Sequence, residues 1–114
     1  MECDPKKNLN EFNRLIADIG RIVPEEYKAF INEKQSIMKD GKISEKTKWL
    51  LMLSSSLAQK CPVCIPRAVE NCLRCGWSKE EIVEASMVAV LIGGSSAMTY
   101  VTLALKTINE LSSK

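Results

Sequence analysis

Two thiols three residues apart, in Cys61-Pro62-Val63-Cys64, are the strongest chemical signal in the chain. Side chains at i and i+3 can close a disulfide in a turn or in the first turn of a helix, the arrangement that dithiol oxidoreductases use. A helix start adds amide N–H groups and the positive end of the helix dipole, which stabilise a thiolate and make it nucleophilic near neutral pH. Pro66 places such a start nearby, because proline is tolerated only in the first turn. Lys60 and Arg67 flank the pair with positive charge. The plainer alternative is that Cys61 and Cys64 are small apolar residues packed in a core.

A second pair, Cys72-Leu73-Arg74-Cys75, extends the string to CxxC-x7-CxxC and raises a zinc or iron–sulfur reading. Helical geometry opposes it. At about 1.5 Å per residue, Cys64 and Cys75 of one helix lie roughly 16 Å apart along its axis. Four sulfurs on one metal must lie within roughly 4 Å of one another. A shared centre therefore needs a non-helical segment or ligands from two chains, and no metal ligand is assigned. Cys72 and Cys75 fall at the end of their helix, where the dipole disfavours thiolates, and are expected to be packing residues. Cys3 enters no pattern.

The chain contains no histidine. That removes Ser-His-Asp and Cys-His couples, His-ligated zinc or haem, and an imidazole general base. Acid–base work falls to Cys, Asp, Glu, Lys or Tyr, so the routes to catalysis run mainly through sulfur. Sixteen Lys and Arg against 14 Asp and Glu give a net charge of +2, too balanced for a nucleic-acid or membrane footprint. Aromatics at 5% are too sparse for a base-stacking surface. The longest apolar tracts, Trp49–Leu53 and Met87–Ile92, are far too short to span a bilayer. The start of the chain lacks the apolar stretch of a signal peptide. With five cysteines, an odd number, a reducing compartment is expected, and the chain is read as cytoplasmic.

The elements that must position the thiols are helices. With 114 residues, 46% of them hydrophobic, the chain fits one domain, residues 1–114, able to bury roughly two-thirds of its unfolded surface. Leu9, Phe12, Leu15, Ile16 and Ile19 share a helical face that is expected to stop at Gly20. Pro24, with Glu25 and Glu26 behind it, opens a second helix. Its inward stripe is expected to be Tyr27, Phe30, Ile31, the stem of Lys34, Ile37 and Met38. Ser44 caps a third helix reaching about Gln59, and the cysteine-bearing helix ends at Gly76. Ser78-Lys79-Glu80-Glu81 has the form of a capping box ahead of an apolar helix to about Ile92. After Gly93-Gly94 a last helix turns Met98, Val101, Ala104, Leu105, Ile108 and Leu111 inward. The class is all-α, about six helices. Two helices with almost no polar face exceed what one small protomer can cover, so a homo-oligomer is expected.

The run Lys46-Thr47-Lys48-Trp49-Leu50-Leu51, the Cys61-Pro62-Val63-Cys64-Ile65 segment, Gly76-Trp77-Ser78-Lys79-Glu80-Glu81-Ile82-Val83-Glu84-Ala85 and Gly93-Gly94 together resemble the carboxymuconolactone decarboxylase family, in its alkylhydroperoxidase D-like (AhpD-like) CxxC branch. The resemblance covers roughly residues 25–110. It implies an all-helical fold that assembles as a trimer or hexamer, and a thiol-dependent peroxidase or disulfide reductase that needs no cofactor beyond its redox-active disulfide. It further implies that Cys64 attacks a peroxide and that Cys61 resolves the resulting sulfenic acid. The substrate would be a hydroperoxide or a disulfide, and the electron donor a dithiol reductant; neither nucleic acid nor membrane is a partner.

Two departures qualify the resemblance. The His that such members carry four residues after the second cysteine is Ala68 here, and the Glu twelve residues before the first is Trp49. Those groups form the family's proton relay, worth about 10²- to 10⁴-fold in rate. Glu70, Glu81 and Glu84 are nearby carboxylates expected on helix surfaces and caps. The name-giving decarboxylation fits poorly, since that branch relies on a histidine. The leading reading is a thiol–disulfide oxidoreductase using Cys61 and Cys64. The alternative is a non-catalytic oligomeric binding or scaffold protein, and the third a cysteine metal-binding module.

Overall fold

A computed structural model describes residues 4–112; Cys3 lies outside them. Among the described residues there are six α-helices and no strand: α1 (Pro5–Ile22), α2 (Pro24–Met38), α3 (Glu45–Ala58), α4 (Cys64–Arg74), α5 (Lys79–Gly93) and α6 (Ser95–Ser112). Helices α3, α5, α6 and α4 pack in that cyclic order into a four-helix core. Leu53, Leu57, Ile65, Val69, Cys72, Ile82, Leu103 and Ile108 fill its centre. Helices α1 and α2 form a hairpin laid outside it. Helix α1 rests on α6 and α4, while α2 touches the core only lightly, through α3.

Local sequence explains most of the boundaries. Asp4 accepts the Lys7 N–H at the start of α1, with Pro5 in the first turn, and Pro24 opens α2. Ser44 accepts the Thr47 N–H ahead of α3. Ser78 and Glu81 form the reciprocal capping box expected at α5. The buried hydroxyls of Ser86 and Thr107 donate to the carbonyls of Ile82 and Leu103, so neither is left unsatisfied.

Three expectations are corrected. Helix α1 does not stop at Gly20 but continues to Ile22. Gly20 serves packing instead: a Cβ there would come within 2.9 Å of the Tyr27 ring, so its absence lets α2 fold back closely. Phe30 and Ile37 are not buried in the α2 stripe; each is 60% exposed, because α2 sits over a cavity rather than a filled core. Met98 and Leu105 on α6 likewise reach solvent. They belong, with Met87, Val88, Leu91 and Ile92 of α5, to the exposed apolar residues of the last two helices.

Two contacts fix the elements around the cysteines. Lys48 on α3 donates to the carbonyls of Ile37 and Lys39, both at 2.7 Å. It thereby places a cation on the C-terminal end of α2, where the helix dipole favours one. The Trp77 indole donates to the Lys46 carbonyl at 2.7 Å, tying the turn after α4 to the start of α3.

Candidate active site

The cysteine pair sits at the joint between α3 and α4, and the backbone of that joint fixes the position of Cys61. The Lys60 N–H donates to the Leu57 carbonyl and the Cys61 N–H to the Ser56 carbonyl. This is the paired closure that ends a helix through one left-handed residue. That residue is Lys60, at φ 56°, where glycine is the usual occupant. The chain then turns toward the next helix: the Cys61 carbonyl accepts the Ile65 N–H at 3.1 Å. The Cys61 sulfur accepts the Cys64 N–H, also at 3.1 Å. A Ser or Asp oxygen caps a helix start in the same i to i+3 fashion. Cys61 therefore closes α3 with its N–H, and from three residues ahead of α4 its sulfur and its carbonyl accept the N–H groups of that helix's first two residues, Cys64 and Ile65.

Cys61 and Cys64 are joined by a disulfide, their Cα atoms 5.3 Å apart. Cys64 is exposed and Cys61 half-buried. Both line a cavity of about 540 Å³ between the α1–α2 hairpin and the α3–α4 corner. Trp49 and Ala68 stand in the same wall. Trp49 is buried, and its indole N–H donates to Glu45 at 3.2 Å, so it presents only ring surface to the cavity. The positions singled out in sequence by the missing carboxylate and the missing imidazole thus meet the disulfide in one space, where they contribute apolar surface.

Phe12, Phe30, Ile37, Met38, Met52 and Val63 extend that surface, and the charged lining residues are Glu33, Lys34 and Arg67. Arg67 lies over the Phe12 ring, 5.5 Å from its centre, and Lys34 stands 5.9 Å from the centre of the Trp49 ring. Burial, and then the Arg67 charge, hold the Lys34 ammonium below its ordinary pKa. Sequence reasoning found Arg67 as a flanking cation and placed the Lys34 stem inward, but it missed Phe12 and Met52. Helical periodicity marks which residues are apolar; it does not say that two helices stand apart.

The other cysteines are elsewhere. Cys72 is buried in the core with its thiol free, and Cys75 is a free, half-buried thiol at the end of α4. Burial, with a smaller contribution from Cys75, pushes the Cys72 thiol up to about 12. Among the described residues no three of His, Cys, Asp and Glu come close enough to hold a metal ion. Glu70, Glu81 and Glu84 are all exposed and absent from the cavity wall. No described helix is long and apolar enough to cross a membrane.

Residues 24–107 match the sequence model of the carboxymuconolactone decarboxylase family. A family member of known structure from Legionella pneumophila superposes with a TM-score of 0.90 at 27% identity, covering 95% of this chain and 96% of that one. A Thermotoga maritima protein gives 0.85 at 30% identity, covering 94% of each chain. An uncharacterised protein of Cupriavidus necator is 24% identical over 97% of this chain and 98% of its own length. An uncharacterised protein from the cox locus of Paracoccus denitrificans is 29% identical over 73% of this chain and 75% of its own.

Proposed function

The chain belongs to the carboxymuconolactone decarboxylase family, and from that membership we propose that it is a thiol–disulfide oxidoreductase of the alkylhydroperoxidase type, with Cys61 and Cys64 as its redox pair. The observation that carries this reading is the bridged pair at the start of α4, its exposed sulfur facing a cavity. A role in antioxidative response has been suggested for the Thermotoga maritima relative, which agrees with it.

In the oxidative half-reaction the Cys64 thiolate attacks the outer oxygen of a hydroperoxide. The O–O bond breaks, Cys64 becomes a sulfenic acid, and the alkoxide leaves as an alcohol after taking a proton. The Cys61 thiolate then attacks the Cys64 sulfur and expels hydroxide, which leaves as water and closes the disulfide. A dithiol reductant, expected from the cytoplasm, returns both thiols and is itself oxidised to a disulfide. Trp49 and Ala68 supply no proton acceptor, so turnover with hydroperoxides should fall about 10²- to 10⁴-fold below that of members with the relay. Exchange with disulfides, which needs only the thiolate, should suffer less.

The test is to reduce the protein, add one equivalent of an organic hydroperoxide, and map disulfides by mass spectrometry. Formation of the Cys61–Cys64 bridge, reversed by a dithiol and absent in Cys61→Ser and Cys64→Ser, supports the reading; thiols that stay reduced overturn it. One feature favours a second reading, a binding protein that retains the pair for packing: apolar groups stand at both relay positions. Unreactive thiols together with unchanged ligand binding in the serine variants would favour that alternative.

A further inference from the structure

Two cations face the same apolar cavity, and among the described residues neither has an anion. Lys34 comes from α2 and Arg67 from α4, and both line the space next to the disulfide. Each lies near an aromatic ring, an arrangement that orients a cation without neutralising it. The ion pairs of the described residues are Arg21 with Asp18 and Arg74 with Glu45, and they leave both cations unpaired. Glu33, the carboxylate of the lining, is exposed and bridges to neither. The unfavourable effect of Arg67 on the Lys34 charge indicates that the two positive fields overlap. Like charges in a low-dielectric space raise each other's energy, and an anion between them relieves both.

The rest of the cavity defines what that anion must carry. Apart from the two cations, the exposed Glu33 and the disulfide, its walls are aromatic, aliphatic and thioether side chains, and the Trp49 N–H is already committed to Glu45. A volume of about 540 Å³ falls in the range of small-molecule sites. Such a space rewards an apolar body and penalises further polar groups, which would find no partner. Arg67 follows Cys64 by three residues on α4, so its head group projects from the same helix face as the exposed sulfur.

We propose that the cavity binds apolar monocarboxylic acids, with the carboxylate between Lys34 and Arg67 and the hydrocarbon body against Phe12, Phe30 and Met52, so that the preferred oxidants are hydroperoxides of such acids. The preference for an acid hydroperoxide rests on the redox reading above; the binding site does not.

The test starts with the full-length protein in its oxidised form, which cannot react with a peroxide, titrated with octanoate and separately with 1-octanol by calorimetry. Octanoate should bind saturably, at least about tenfold more tightly than the alcohol, as charge-assisted hydrogen bonds imply. Lys34→Gln and Arg67→Gln should each weaken octanoate by about tenfold while leaving 1-octanol unchanged. Lys34→Arg, which keeps the charge, should retain binding and guards against a folding artefact. Equal affinity for acid and alcohol, insensitivity to both glutamine variants, or a cavity shut by a second copy of the chain so that no octanoate binds, would each overturn the proposal. The Cys61→Ser/Cys64→Ser double variant separates the two claims. Octanoate binding there, with wild-type thiols inert to peroxide, keeps the site and removes the redox function. Peroxide reactivity with no preference for a carboxylate-bearing hydroperoxide keeps the chemistry and removes the substrate assignment.

Discussion

Each sulfur of the pair has a distinct setting. The Cys61 sulfur accepts an amide N–H at the start of a helix, and Cys64 faces solvent and the cavity. An incoming reductant thiolate should therefore attack Cys64, because the departing charge then collects on Cys61, where the Cys64 amide already points. A single-cysteine experiment checks this. With a chromogenic thiol reagent, Cys61→Ser should accumulate a stable mixed disulfide at Cys64, while Cys64→Ser should react more slowly at Cys61. The remaining described thiols provide an internal contrast. With its thiol raised to about 12 by burial, Cys72 should resist iodoacetamide in the native reduced protein at pH 8 and label only in denaturant, as peptide mapping would reveal. The CxxC spacing makes the pair legible in sequence; the hydrogen bonds that tie Cys61 to the end of α3 and the start of α4 are not, because they depend on where α3 ends.

At the scale of elements, the helix starts are readable because they are local chemistry. Ser44, Ser78 with Glu81, and Pro24 each act within four residues of their own position. The capping box also carries a pH signature. Hydrogen bonds from Ser78, backbone first, lower the Glu81 pKa below the ordinary carboxylate value. A carboxyl whose folded pKa is depressed contributes stability above its unfolded pKa, near 4.3, and loses it as pH falls through the lower folded value. Glu81→Ala should accordingly lower the melting temperature at pH 7, and the gap from wild type should close as pH drops below about 4. Ser78→Ala should cost about 1 kcal/mol at neutral pH. What stayed hidden in the sequence is non-local. Gly20 looked like a helix stop, but its lack of a side chain is used by Tyr27 on the next helix. Phe30 and Ile37 look like core residues because periodicity records hydrophobicity; it does not show that the facing surface has receded to leave a cavity. At the junction of α5 and α6 two glycines divide these roles: Gly94, at φ 76°, ends α5, and Gly93 lets α6 approach, since a Cβ there would lie 2.6 Å from that of Ala97.

For the molecule as a whole, the four-helix core is covered on one side by the α1–α2 hairpin. Leu91 and Ile92, on the last turn of α5, are 84% and 86% exposed and lie beside the exposed Val88. So concentrated an apolar surface fits contact with a second copy of the chain, the homo-oligomer anticipated from sequence. Light scattering on the eluting protein should give a mass that is a multiple of the protomer's, and Leu91→Glu with Ile92→Glu should reduce it to that of one chain. A monomeric wild-type protein would refute this assembly. The hairpin and this surface belong to different helices, so the double variant should keep the octanoate affinity of the cavity.

The joint at Cys61 has a thermodynamic consequence. Its N–H and carbonyl are both engaged in backbone hydrogen bonds, to Ser56 and from Ile65, and neither depends on the S–S bond. Reduction therefore frees little chain entropy, and the two thiols remain neighbours at a very high effective concentration, far above that of any free thiol. Small monothiols should then be poor reductants of this bridge, because the second thiol recloses it before another molecule arrives. A reductant that carries two thiols escapes this competition by completing its own ring.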